Sequence, residues 1–225
     1  MQFEEGNMVY ALREPDEQRR RRELLRENHI APLTDYVEHL RTFLGYNQEI
    51  PYFDPHDGGI NAKLLFLLEA PGPKAVSSGF ISRDNPDPTA RNMTELLAEC
   101  GVPRQETVSW NIVPWYVGSD GHIRPVNQKE INTGIQSMKS LRPLLPNIRV
   151  VVLVGRKAQK SWLAIEELFQ TPVLACPHPS QRVLNVWPNK REEIKSVFRQ
   201  AVCLSLGGAY RLMEKSRFGE EVDKI

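Results

Sequence analysis

Two short, unbroken apolar runs constrain this chain more than anything else in it: KLLFLL at 63–68 and RVVVLVG at 149–155. A strand with water on one face alternates apolar and polar residues, whereas a continuous run belongs to a strand covered on both faces, as in parallel sheets. TVSWNIV (107–113) and PVLAC (172–176) read as further strands. Residues 90–100, with Met93, Leu96, Leu97 and Cys100 at helical spacing, read as a helix, as do 127–144, 156–169 and 190–206. Strands alternating with helices predict an α/β fold: a single domain with a doubly wound, mostly parallel sheet of about four strands flanked by helices.

Two helices are expected ahead of the first strand. The first, 14–28, is densely charged and includes the run Arg19–Arg22, which reads as a solvated face or as a track for a DNA backbone. The second, 32–45, gathers Leu33, Tyr36, Val37, Leu40 and Leu44 on one stripe and stops at Gly45. The expected organisation is an N-terminal helical segment (1–50) packed on the same domain, an α/β domain (51–210) and a charged C-terminal tail (211–225).

Composition excludes more than it selects. With 225 residues, 40% of them hydrophobic, the chain can fill one core. A formal net charge of +1 gives no bulk attraction to nucleic acid, so any DNA contact must come from local patches. Cys100, Cys176 and Cys203 form no CxxC pair, which argues against a disulfide framework, a zinc site or an iron–sulfur cluster and fits a reducing cytoplasm. No apolar run approaches a membrane span, and MQFEEGNMVY is too acidic for a signal peptide, so a cytoplasmic protein without membrane contact is expected.

In doubly wound sheets ligands collect at the carboxyl ends of the strands. Three of those ends carry unusual residues here: LEAPGP (68–73), NIVPWY (111–116) and PHPSQR (177–182). Glu69 follows a nearly unbroken apolar run, where carboxylates are rare unless paired or functional. Pro71-Gly72-Pro73 makes a rigid loop whose glycine permits close approach of a ligand, or simply a turn. Asn111 offers one donor and one acceptor, the pattern that reads a base edge, or caps its strand. His178, in a proline-stiffened loop, is suited to donating a hydrogen bond to a leaving group. Asp54-Pro55-His56-Asp57-Gly58-Gly59 suggests a turn more than a metal site. Trp115 and Tyr116 line a pocket, contact DNA or pack at a strand end, and Gly155-Arg156-Lys157 opens a helix that could hold phosphate.

Taken together, LEAPGP, NIVPW and HPSQR resemble, in order and spacing, the uracil-DNA glycosylase superfamily over roughly residues 60–205. The resemblance implies a cofactor-free enzyme that flips one base out of DNA and hydrolyses its bond to the sugar. In that family the first loop holds the attacking water, the asparagine of the second motif binds the flipped base, and the HPS histidine stabilises the departing base. Glu69, Asn111 and His178 therefore inherit catalytic positions. Ala70, Pro71, Gly72 and Asn111 inherit the base-binding wall, Trp115 is counted with them as a residue that could line the pocket, and Phe80 matches the residue that stacks on the base. Ser180, Gln181 and Arg182 inherit DNA contacts, with Arg182 matching a wedge arginine of the single-strand-selective branch.

Several departures matter. The four cysteines of the iron–sulfur branch are missing. Leu68 replaces the usual leading glycine, and Ala70 stands where the best-known uracil enzymes have a catalytic aspartate. Glu69 is then the first choice for the water-activating group and Asp84 the second. The loop 77–92 brings Ser82, Arg83, Asp84 and Asn85 past the base-stacking position, which suits a pyrimidine bearing a polar substituent. No lysine nucleophile is required, so a monofunctional, metal-free enzyme acting on DNA as a monomer is expected. Two alternatives stay open: a glycosylase for bulky hypermodified pyrimidines of phage DNA, serving antiviral defence, and a catalytically silent DNA-binding member of the superfamily.

Overall fold

The computed structural model describes residues 10–45, 49–119 and 122–207; the charged tail falls outside them. The first two α-helices among the described residues are α1 (Pro15–Glu23) and α2 (Ala31–Leu44), followed by β1 (Tyr52–Phe53) and β2 (Leu64–Leu68). Next come α3 (Pro73–Ser78), β3 (Phe80–Ile81), α4 (Pro88–Glu99) and β4 (Thr107–Asn111). A two-residue ladder of β5 (Gly118–Ser119) and β6 (His122–Ile123) precedes α5 (Gln128–Leu141). The chain continues through β7 (Val150–Val154), α6 (Arg156–Gln159), α7 (Trp162–Phe169), β8 (Val173–Cys176), α8 (Gln181–Val186) and α9 (Asn189–Ser205).

The main sheet has the order β4-β2-β7-β8 with every pairing parallel. Its continuous apolar runs are continuous because each face is buried. Leu65, Leu67, Val108, Trp110, Val151 and Leu153 pack with Tyr36 and Val37 of α2, Ile131 and Met138 of α5, and Ile165 and Phe169 of α7. Leu64, Phe66, Val150, Val152 and Val154 pack on the other face with Met93 and Leu97 of α4 and Ile194 and Phe198 of α9. Phe53 stacks on Trp110 at 3.9 Å between ring centroids, and Phe66 meets Phe198 edge-on at 5.2 Å. This is the doubly wound α/β arrangement expected from the sequence.

Three local differences have physical causes. The charged first helix ends at Glu23 and tightens into a 3-10 turn over Leu24–Arg26. The helix expected over 156–169 is two pieces, because the Ser161 hydroxyl donates to the Ala158 carbonyl at 2.5 Å and competes with the helical ladder. Past the PGP loop, where the sequence suggested only turn and polar loop, Pro73 sits at the first position of α3, which its fixed φ favours, and the helix stops at Gly79 with φ +87°.

Candidate active site

The carboxyl ends of all four main strands open onto one cavity of about 590 Å³. Glu69 to Pro73 enter it from beyond β2, Asn111 from the end of β4, Lys157 from α6 just after β7, and His178 from the loop after β8. The cavity thus brings together Glu69, Ala70, Pro71, Gly72, Asn111 and His178.

Glu69 stays in register with the sheet: its carbonyl accepts from Val113 N at 3.0 Å, just beyond the Leu68–Asn111 pair. That extension aims its carboxylate at the cavity mouth, where Oε1 accepts one long bond, 3.4 Å, from Val126 N. Lys157 Nζ donates to the carbonyl of the same Val126 at 3.2 Å, which places an ammonium group on this wall. Sequence reasoning named Lys157 only as part of a helix start that could hold phosphate, not as a pocket residue; its signal was position, three residues past the end of an apolar strand.

Asn111 is buried, yet among the described residues no hydrogen bond reaches its side-chain amide. Its donor and acceptor face the cavity. His178 is partly buried, and burial pushes its imidazole below the ordinary histidine value, so the ring is neutral near neutral pH. Gly155, at φ +87°, lies against it: a side chain there would bring a Cβ within 3.0 Å of His178 Cβ. The glycine at the start of α6 therefore serves the histidine by leaving room for its ring.

Two expected base contacts lie elsewhere. Phe80 is fully buried with Leu12 and Leu25 in a satellite cluster and has Tyr52 beside it. The β1–β3 pairing turns Phe80 to that side, and its neighbour Ile81, on the opposite face of the strand, lines the cavity instead. Trp115 is buried in the core formed with α2 and α5 and does not line the cavity. Tyr116 is partly buried, with a hydroxyl that finds no partner among the described residues.

The loop beyond Ile81 brings Ser82, Arg83 and Asn85 to the cavity wall as expected, but not Asp84, and most of its polar groups are engaged within the fold. Asp84 accepts from Arg21 and from Arg104 at 2.8 Å; Ser82 donates to Asp54. Asn85 spends its amide on the Phe80 carbonyl, 2.9 Å, and the Ser78 hydroxyl, 2.6 Å. Asp54 takes Arg21 and Arg104, and Asp57 takes Arg104 at 2.9 Å with Arg83 at 3.6 Å. Arg21 is fully buried, so the Arg19–Arg22 run is not a uniform solvated face. Asp84 is therefore committed to two arginines and is no candidate for water activation.

Burial raises the Asp54 carboxyl, but the guanidiniums of Arg104 and Arg21 outweigh it and hold the group below its ordinary value. Asp57 goes the other way, pushed up to about 6 by burial against a weaker pull from Arg104 and Arg83. Both acids of the DPHDGG segment are thus paired with arginines, and among the described residues no group of three or more metal-ligating side chains forms. The network pins the wall of the cavity to α1.

Ser180 caps α8, its hydroxyl accepting from Val183 N at 3.3 Å. Gln181 bonds Asn185 at 2.7 Å, and Arg182 is exposed. Asn92 Nδ2 donates to the Pro179 carbonyl at 2.8 Å and ties α4 to the histidine loop, next to a second, polar groove of about 360 Å³ that includes Gln181. Among the described residues no helix is long and apolar enough to cross a membrane.

Fold and cavity define a class: a doubly wound α/β protein with a mainly apolar ligand pocket, set with a few polar side chains, at the carboxyl edge of its sheet. The family is set by the sequence match, since the Uracil DNA glycosylase superfamily model covers residues 55–202, and the chain belongs to that superfamily. A solution NMR structure of a candidate uracil DNA glycosylase from Methanosarcina acetivorans is similar at 16% identity with a TM-score of 0.46, covering 63% of this chain and 91% of that one. No curated protein matches the chain.

Proposed function

We propose that this protein is a monofunctional DNA glycosylase that flips a uracil or modified pyrimidine into the cavity and hydrolyses its N-glycosidic bond. The observation that carries the reading is the meeting of Glu69, Asn111 and His178, from the ends of three strands, in one cavity. A base inside a duplex is out of reach, so the nucleotide must be extruded, at a cost of a few kcal/mol. In this reading Arg182, exposed at the start of α8, fills the gap, with Ser180 and Gln181 contacting the DNA beside it.

Asn111 then holds the base edge with the free donor and acceptor of its amide. The glycosidic bond breaks with the electron pair leaving on the base, and the neutral His178 donates an N–H hydrogen bond to the oxygen on which that charge settles. Glu69, whose carboxylate has one long bond among the described residues, orients the water that attacks the sugar carbon and favours the cationic sugar. The products are a free base and an abasic site. Residues of this chain account for each step, and the reading assigns no cofactor. It also takes the protein to act on DNA as a monomer in the cytoplasm.

The test is incubation of the purified protein with oligonucleotides that each carry one altered base, followed by alkaline cleavage at abasic sites. Cleavage at one or more of the pyrimidines is expected. Strand breakage before alkali would point to a lyase step, and no cleavage on any base would overturn the reading.

A further inference from the structure

The carboxyl ends of β2 and β7 are neighbours. Leu67 pairs with Leu153, so Glu69, two residues on, stands level with Gly155, one strand spacing of about 5 Å away. Lys157 follows two residues later on α6. Both side chains reach the segment 124–127, and they take hold of the same residue in it. Glu69 Oε1 accepts from Val126 N at 3.4 Å, and Lys157 Nζ donates to the Val126 carbonyl at 3.2 Å.

Other contacts tie this segment to α5. Asn127 opens the helix in a capping box with Glu130, whose carboxylate also takes Arg124 at 2.6 and 3.0 Å. Arg124 in turn donates to the Pro125 carbonyl at 3.3 Å, at the far end of the peptide unit whose N–H serves Glu69. Donation to that carbonyl polarises the unit and strengthens the bond its N–H makes. Toward the sheet, beyond the packing of the Val126 side chain in the core, the segment is held by the two bonds of Val126 itself. The long bond from Glu69 cannot both place Val126 and be placed by it, which leaves Lys157 to fix the amide against the strand ends. Lys157 is free for this use. Arg83 and Arg124, also on the cavity wall, pair with Asp57 and Glu130, whereas Lys157 pairs with no carboxylate among the described residues.

We propose that Lys157 is a positioning residue for Glu69: by holding the Val126 carbonyl it sets the amide on which the Glu69 carboxylate rests, and so the direction from which that carboxylate presents water to the sugar carbon. The inference rests on the proposed glycosylase reading for the role of Glu69, but the link from Lys157 through Val126 to Glu69 stands apart from it.

The test is a double-mutant cycle on an oligonucleotide that the wild type cleaves, with base release followed in single turnovers over a range of enzyme concentrations. Lys157→Met keeps an apolar stem to pack and loses the ammonium. It is expected to slow release at saturation about tenfold, the order of a displaced catalytic group, while half-saturation moves less than about twofold. Lys157→Arg should recover most of the rate, because a guanidinium also donates to a carbonyl. In a Glu69→Gln background, Lys157→Met should cost nothing further. An unchanged rate, equal losses in both backgrounds, or weaker DNA binding at an unchanged saturated rate would overturn the proposal. Amide hydrogen exchange at Val126, measured without DNA, reads the link independently of any reaction and decides if Glu69→Gln is too slow to follow. Exchange about tenfold faster is expected in Lys157→Met, and unchanged exchange would overturn the link. If the wild type releases no base, faster exchange in the variant would overturn the glycosylase reading and uphold the link; unchanged exchange would overturn both.

Discussion

Gly155 and His178 are in contact, close enough that a Cβ on Gly155 would sit 3.0 Å from His178 Cβ, and Gly155 holds φ +87°. The contact links the end of β7 to the loop after β8, two segments 23 positions apart in sequence. Gly155→Ala must both adopt a left-handed conformation and push against the histidine. The expected result is a stability loss of about 1–3 kcal/mol, measured by urea denaturation, with a fall in single-turnover excision of about tenfold or more. A variant that loses stability yet excises at the wild-type rate would separate His178 placement from Gly155.

Burial lowers the pKa of His178 below its ordinary value. If the neutral imidazole is the active form, the excision rate holds as pH falls through about 6.5, the unperturbed value, and drops only below it. The sign for stability is opposite in character to that of a paired histidine. The unfolded state takes up a proton near 6.5 before the folded state does, so His178 weakens the fold as pH falls below that point. A rate profile limited near 6.5 or above would show that the imidazole works protonated or lies outside the reaction.

The buried arginine and aspartate network predicts unequal costs for its acids. Removing Asp54, which is held below its ordinary value by Arg104 and Arg21, takes a carboxylate partner from the fully buried Arg21 and the partly buried Arg104 and leaves Asp84 to serve both. Asp54→Asn should cost about 3–5 kcal/mol at pH 7. Because a lowered pKa stabilises above the unfolded value, that cost should shrink as pH falls through the acid range. Asp57 is pushed up to about 6, so its contribution is present below the unfolded value and lost as pH rises through about 6. Asp57→Asn should therefore cost clearly less at pH 7 than Asp54→Asn. Urea denaturation of both variants across pH would show it, and equal costs would contradict the charge assignment.

Much of the frame was readable from residues alone. Continuous apolar runs such as Leu64–Leu68 and Val150–Val154 announce strands buried on both faces, and the carboxyl ends of β2, β4 and β8 bring Glu69, Asn111 and His178 into one cavity. Side-chain direction in short, irregular segments was not readable. Phe80 belongs to a two-residue strand whose pairing with Tyr52–Phe53, far off in sequence, decides which way it points. Trp115 follows β4 and turns into the core.

The ion network escaped notice for a related reason. Its members, among them Arg21, Asp54, Asp84 and Arg104, come from four separate segments, and no local pattern distinguishes a buried arginine from the solvated ones beside it.

The most direct test of the glycosylase account is single-turnover release of the free base, identified by mass, from an oligonucleotide that the wild type cleaves, repeated with His178→Ala. The variant should keep its circular dichroism spectrum and unfolding midpoint while releasing base at least ~10²-fold more slowly, the scale of removing one preorganised donor. A folded His178→Ala protein that releases the base at the wild-type rate would contradict the account.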